Sequence, residues 1–566
     1  MTMPSISLEG PTTHPEIRRV CVPRGLLVLA GFTLLTTIFF WPWVTQLSSA
    51  LIGPPEDNLQ DFWNSWHAAN AQGWRDFFFT AQIRYPEGTS LTYHSFAWPQ
   101  IAAVALLSKI FGADLATLMT LHNLTLLSSF PLAATSAFYL ARYLLGDVPG
   151  RDAGAAAAGF IFAFNPWHVA QAMHHAHVST IQFLPLFVLF YLIALERRSP
   201  RWLAGAAAMM ALSALSSWYY LFYALYFMAF HLLYLRIRGG QWPRGWILGA
   251  PALCAAAAAL LLSPWLVPML GSGLKASVYY VGTNMFVADL LAWFAFPPTH
   301  LLAEWGSGVY AAITGNAWEG TVYLGVINAA LLIWALAQPE RRRLYYALGG
   351  MLFFAVIASG EALHVGGDVT PLHLPGIILA KLPFFANVRT PARAIVFVYL
   401  FLGIAIAHAM VMAWRHRSQG ARLGLSLIVG LMLLDFTPTR LAVTPVACPL
   451  ALERIAKDRG HFGVLDLPSG YGNGNAYMTL SACHGKAIVQ GETSRQMGIT
   501  LGNRLETTDL TAQKRQLTQA RVKYVVLHHP EGELFGWNKA DGNKPDYAHT
   551  YRVIHDGREM TVLQVY

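Results

Sequence analysis

The chain has 566 residues, of which 55% are hydrophobic and only 12% charged, and its mean hydropathy is +0.41. A soluble protein of ordinary composition is charged at about a quarter of its residues, so this chain lacks the polar surface a water-soluble fold of its length needs. The net charge of +9 is assigned to loops on the cytoplasmic side of a membrane, where basic residues collect, and not to a nucleic-acid partner.

In chain order, residues 1–24 read as a cytoplasmic N-terminal segment. The apolar run after Arg18, Arg19 and Arg24 is too long for a removable signal. Apolar runs then suggest about eleven membrane spans, near 25–45, 115–141, 153–168, 178–196, 202–216, 218–235, 245–270, 319–337, 344–360, 393–413 and 422–438. Residues 98–111 are apolar but short, and read as a half-inserted helix within a long first outer loop, 46–114. Six basic clusters test this scheme: Arg18/Arg19/Arg24, Arg142/Arg151, Arg197/Arg198/Arg201, Arg236/Arg238/Arg244, Arg341/Arg342/Arg343 and Arg415/Arg417/Arg422. Two spans separate each neighbouring pair, so all six fall on one face, the cytoplasmic one. Two crossings within 202–235 are needed to keep that parity, and they turn at Ser216-Ser217-Trp218.

The fold class is therefore an α-helical polytopic membrane protein, its transmembrane domain at 25–439, with a soluble extracytoplasmic α/β domain at 440–566. In that last part Phe462–Pro468, Ala487–Gln490 and Val522–Leu527 read as buried strands, Tyr551–His555 and Met560–Tyr566 as a hairpin through Asp556-Gly557, and 507–520 as a helix. No dinucleotide, P-loop or nucleophile-elbow pattern occurs there. None of the four cysteines lies in a CxxC pair, which argues against zinc. Cys448 and Cys483 could pair only in an oxidising compartment.

Three outer features carry candidate chemistry. Glu56, Asp57 and Asp61 put three carboxylates within six residues beside an aromatic helix start, and Asp57 and Asp61 share a helix face. A partly desolvated carboxylate at an interface suits a general base; the plainer reading is a solvated loop and helix cap. His174, His175 and His177 form an outer turn suited to phosphate or proton handling, or simply hydrogen-bonded to backbone and water. Arg389 and Arg393 run against the charge rule, and suit a phosphate or lipid headgroups. Lys275 is a weaker candidate for the same task, and Asp289 and Glu319 are outer acids near span edges.

Taken together, Asp57-Asn58-Leu59-Gln60 with Trp63-Asn64 and Trp66, the stretch His174–Pro185, and Arg389, Pro391 and Arg393 resemble motifs of the GT-C superfamily of membrane glycosyltransferases. The resemblance covers the membrane part of the chain. It implies transfer of a sugar from a polyprenyl-phosphate donor to a glycan, lipid or protein acceptor at the extracytoplasmic face of a bacterial inner membrane. The acid that activates the acceptor is then carried over to Asp57, with Glu56 and Asp61 as neighbours, and phosphate neutralisation to Arg389 and Arg393. Some relatives use a divalent metal; here only Asp289 or Glu319 could supply the further ligands, and the metal stays open. Two alternatives also stay open: a non-catalytic scaffold holding a membrane-complex partner, and a transporter of lipid-linked glycans, though no internal repeat is evident.

Overall fold

The computed structural model describes residues 22–271, 284–379, 381, 388–415, 419–469, 473–494, 498–529 and 544–566. It is mostly helical. Among the described residues, four helices are long and apolar enough to cross a membrane: Leu115–Leu145, Ala176–Arg197, Trp218–Gly239 and Pro391–Trp414. A fifth span arises if Trp246–Leu261 and Ser263–Gly271, bent by 76° where Leu262 meets Ser263-Pro264, count as one. This is fewer than the eleven apolar runs suggest, and the reason is local. Run 153–168 breaks between Arg151–Ala163 and Pro166–His174, where Asn165 caps the second helix by accepting from the His168 N–H at 2.9 Å and Pro166 takes its first position. Run 319–337 is helical only over Val326–Leu336. Helices Pro200–Ser216 and Trp218–Gly239 are separate, broken at an extended Ser217.

Helix Ile395–Trp414 is buried along nearly its whole length and forms the axis of the helical part. Its neighbour Arg151–Ala163 approaches it closely because both carry glycine at the crossing: a Cβ on Gly154 would lie 2.7 Å from the Ala407 carbonyl oxygen. Outward faces are apolar, with Leu27, Leu34, Leu260, Ile333 and Leu352 all largely exposed. That is the surface a bilayer would cover.

The two ends of the bundle differ. At one end Arg24 and Arg142 both pair with Asp152, and Arg415 pairs with Glu340 at 2.8 Å. Tyr143 donates to Glu196, the Trp246 indole donates to the Ala194 carbonyl at 3.0 Å, and Gly150 packs against Trp414. These contacts connect described residues in or beside the six basic clusters, so those residues gather at one end.

At the other end, Ala50–Ile52 pairs antiparallel with Val443–Pro445. Beyond it, a five-stranded sheet has the order Arg552–Asp556, Met560–Gln564, Val522–His528, Gly463–Leu467, Ala487–Ile488. The last three strands are mutually parallel and the first two close the sheet as an antiparallel hairpin. Helix Leu510–Gln519, capped by Asp509, places Leu517 on one face against Val525 and Leu563. Helix Asn473–His484 packs between the other face and the first-loop helix Asp57–Asn70. There Leu59, Phe62 and Trp63 share one apolar core with Val464, Met478, Val526 and Val562. A continuous core thus crosses the boundary expected at 440. Cys448 and Cys483 form a disulfide, with Cα atoms 5.5 Å apart.

Candidate active site

The candidate residues lie at the end opposite the basic clusters. Chain entry into the first-loop helix is fixed by Gly53, whose φ is +103° and which abuts the Met173 carbonyl so closely that a Cβ would sit 1.9 Å from its oxygen. Asn58 fixes the next turn, donating to the Ile52 carbonyl at 3.1 Å and accepting from the Glu56 N–H at 3.0 Å. Glu56 and Asp57 are thereby set against the end of helix Pro166–His174.

Each histidine of the turn meets an acid. The His174 Nδ1 lies 2.9 Å from Glu56 Oε2, and its ring stacks on Trp318 at 4.2 Å between centroids. The His175 Nε2 lies 3.3 Å from Asp57 Oδ2, while its Nδ1 lies 3.0 Å from Gln171 Oε1 and 3.7 Å from Glu319 Oε1. His177 Nδ1 is 3.9 Å from Asp61 Oδ1. Asp61 itself is buried and accepts from the Ala176 N–H at 2.8 Å, so it ties the first-loop helix to the histidine turn.

Arg393 enters from the start of the axial helix. Both it and Glu319 are buried, and its guanidinium grips both Glu319 oxygens, with Nε at 3.0 and 3.1 Å. It also stacks over the Tyr219 ring at 4.8 Å. Arg393, Glu319, His175 and Asp57 therefore form one chain of contacts, running from the buried Arg393–Glu319 pair to the partly exposed Asp57. A bidentate pair of this kind consumes the arginine's charge, so Arg393 serves first to hold Glu319. Arg389, four residues earlier, is exposed. Lys275 lies outside the described residues.

The Asp57 side chain is 56% exposed at its tip, with protein crowded around it. Crowding alone would raise its pKa. The hydrogen bond and charge of His175, with the charges of His177 and Arg393, outweigh that and hold the carboxyl below its ordinary 3.8. The sheet side supplies the other neighbours of Asp57. The Asn475 amide lies 3.4 Å from Asp57 Oδ1, and Gln60 donates to Asn475 Oδ1 at 3.3 Å and to the Glu492 carbonyl at 3.0 Å.

Asp289 points elsewhere: its carboxylate accepts from the Leu291, Gly366 and Gly367 N–H groups, which fixes the hairpin Ala362–Val365/Asp368–His373. Among the described residues no group of three His, Cys, Asp or Glu could hold a metal ion. Glu56, Asp57 and Glu319 are each engaged by histidine or arginine. Among the described residues these acids do not fit a metal, and no step below uses one.

Asn475, Gln171 and Trp318 were not picked out from sequence. Only Gln171 left a signal there, its i, i+3 spacing from His168.

A family model described as "Domain of unknown function (DUF6311)" matches residues 28–437. The chain belongs to the DUF6311 family. The match spans the helical part and every candidate residue named so far except Asn475 and Glu492. No curated protein matches the sequence. Among solved structures the fold is similar to the arabinofuranosyltransferase AftD from Mycobacteria, seen in two classes of a point mutant, with TM-scores of 0.55 and 0.51 at 15% and 14% identity. The likeness covers 96% of this chain but only 41% of AftD. At that identity it is a likeness of fold, and it extends across both the helical part and the sheet. The apolar helices mark the chain as a membrane protein, and its fold is similar to that of AftD.

Proposed function

We propose that this protein is a glycosyltransferase that moves a sugar from a polyprenyl-phosphate donor to a hydroxyl acceptor, with Asp57 as general base. The observation that carries the reading is the contact chain Asp57–His175–Glu319–Arg393, assembled from segments far apart in sequence. In the reaction Asp57 takes the proton of the acceptor hydroxyl. The acceptor oxygen bonds to the anomeric carbon, the carbon–oxygen bond to the phosphate breaks, and polyprenyl phosphate leaves with inversion. Arg389, exposed four residues before Arg393, is the cation for the leaving phosphate; Arg393 fixes the acid chain by holding Glu319. The GT-C resemblance and the AftD-like fold both support this class.

In the same reading the eleven apolar segments act as spans, several of them broken, the basic end is cytoplasmic, and residues 440–566 form an extracytoplasmic α/β domain at an inner membrane. The Cys448–Cys483 disulfide supports that side, since disulfides persist in oxidising compartments. Full charge neutralisation of Arg393 favours a second reading, in which a degenerate transferase fold serves as a scaffold.

The test is transfer by the purified protein from synthetic polyprenyl-phosphate sugars, arabinofuranose included because AftD bears that activity in its name. Asp57→Asn is expected to lower turnover by roughly 10²–10⁴-fold, the usual contribution of a general base, while the protein still folds. Wild-type turnover matched by Asp57→Asn overturns the role of Asp57. Donor binding without turnover by the wild type moves the scaffold to the front.

A further inference from the structure

The hydrogen bonds around Gln171 determine where the protons of the candidate base sit. Gln171 is fully buried. Its Nε2 faces two groups that only accept, the Trp318 carbonyl and Glu319 Oε2, both at 3.3 Å. That fixes the amide orientation, because the reverse would set oxygen against oxygen twice. Gln171 Oε1 therefore faces His175 Nδ1 at 3.0 Å and can only accept from it. Glu319 Oε1, 3.7 Å from the same nitrogen, is again an acceptor. Nδ1 must carry a proton. On the other side of the ring, Nε2 lies 3.3 Å from Asp57 Oδ2, and the surrounding charges favour the ionised form of that carboxyl. With Nδ1–H committed to Gln171, this contact needs a proton of its own.

We infer that Gln171 is a positioning residue of the candidate site, which fixes the Nδ1 proton of His175 and so presents Nε2, with a shared proton, to Asp57. Asp57 is then oriented from both sides, by His175 at Oδ2 and by Asn475 at Oδ1. The catalytic consequence rests on the proposed transferase reading; the proton placement does not. During transfer the acceptor's O–H bond breaks and a bond to Asp57 forms, while the His175 protons stay in place. Glu319 completes the arrangement from behind, since its hold on the Gln171 amide is what selects the amide orientation.

The test combines spectroscopy and turnover. In protein labelled with ¹⁵N-histidine, the His175 signals are assigned by their loss in His175→Gln. Wild type is expected to show a protonated Nδ1, and a bare Nδ1 overturns the inference. Gln171→Met keeps the length of the side chain without its hydrogen bonds, and is expected to release the Nδ1 proton. An unchanged His175 spectrum in Gln171→Met overturns the inference. Should Gln171→Met fail to fold, the wild-type spectrum decides it alone. In the transfer assay Gln171→Met is expected to lower kcat by on the order of 10²-fold with acceptor KM nearly unchanged. Absence of any transfer by wild type counts against the transferase reading, while the ¹⁵N result still decides the role of Gln171.

Discussion

Glu319→Gln tests the charge chain at its deepest link. In the wild type the Glu319 and Arg393 side chains are 4% and 8% exposed, and two oxygens of one face two nitrogens of the other. Removing the carboxylate charge strands a guanidinium with little beyond the Tyr219 ring to offset its loss of water. Breaking one side of a buried pair costs about 3–5 kcal/mol, or roughly a 10²- to 10⁴-fold shift in the unfolding equilibrium. Replacing both partners costs much less, because the desolvation of each charge disappears with it. Equilibrium unfolding by detergent titration in mixed micelles should therefore rank wild type first, Glu319→Gln/Arg393→Met close behind, and Glu319→Gln last by several kcal/mol. A single variant within about 1 kcal/mol of wild type, or a double variant no better than the single, would refute the claim that this pair is desolvated.

Three further predictions follow from the geometry around it. Gly53→Ala forces a methyl into the Met173 carbonyl at a positive φ, and is expected to cost about 2 kcal/mol or more and to separate Glu56 from His174, read by unfolding and by turnover. Asp57 has its pKa lowered, so its ionised form is favoured by folding: its contribution to stability is complete above 3.8 and lost as pH falls through the lower folded value. Infrared difference spectra of wild type against Asp57→Asn should show no protonated Asp57 carboxyl at pH 5; such a band would contradict the lowered pKa. Replacing Cys448 and Cys483 by serine is expected to cost about 2–4 kcal/mol, and thiol counting in denatured, unreduced wild type should find two of the four cysteines.

Much of the helical layout is legible because it follows from hydrophobic run length. The break at Ser217, the half-length helix Trp98–Phe111 and the Asp509 cap all sit where Ser, Pro and Asp place them in the sequence. Helix ends inside runs are harder to read: Asn165-Pro166 carries a helix-start signal, but its apolar neighbours hide it in a longer run. Of the candidate site, Asp57 and the histidine turn announce themselves through local clustering. Their partners do not. Gln171 reads as one more polar residue on an apolar helix, and Glu319 as a span-edge acid. Asn475 lies 418 positions from Asp57, and no periodicity reports a contact across that distance. Arg393 reads as a phosphate ligand because a charge on the outer side asks for a partner; folding supplies that partner internally, as Glu319.

The strand pair Ala50–Ile52 with Val443–Pro445, and the Asn475 amide on Asp57, bear on the order of synthesis. Residue 50 leaves the ribosome well before residues 443 and 475 do. While the intervening residues are made, the segment around Asp57 therefore lacks both its strand partner and the Asn475 contact. A chain stalled before residue 443 would hold Asp57, Gln171 and Glu319 yet leave the apolar side of helix Asp57–Asn70 bare, an address for chaperones. Residues 443–475 finish what residues 50–57 begin, so maturation of the site waits on synthesis of the later segment.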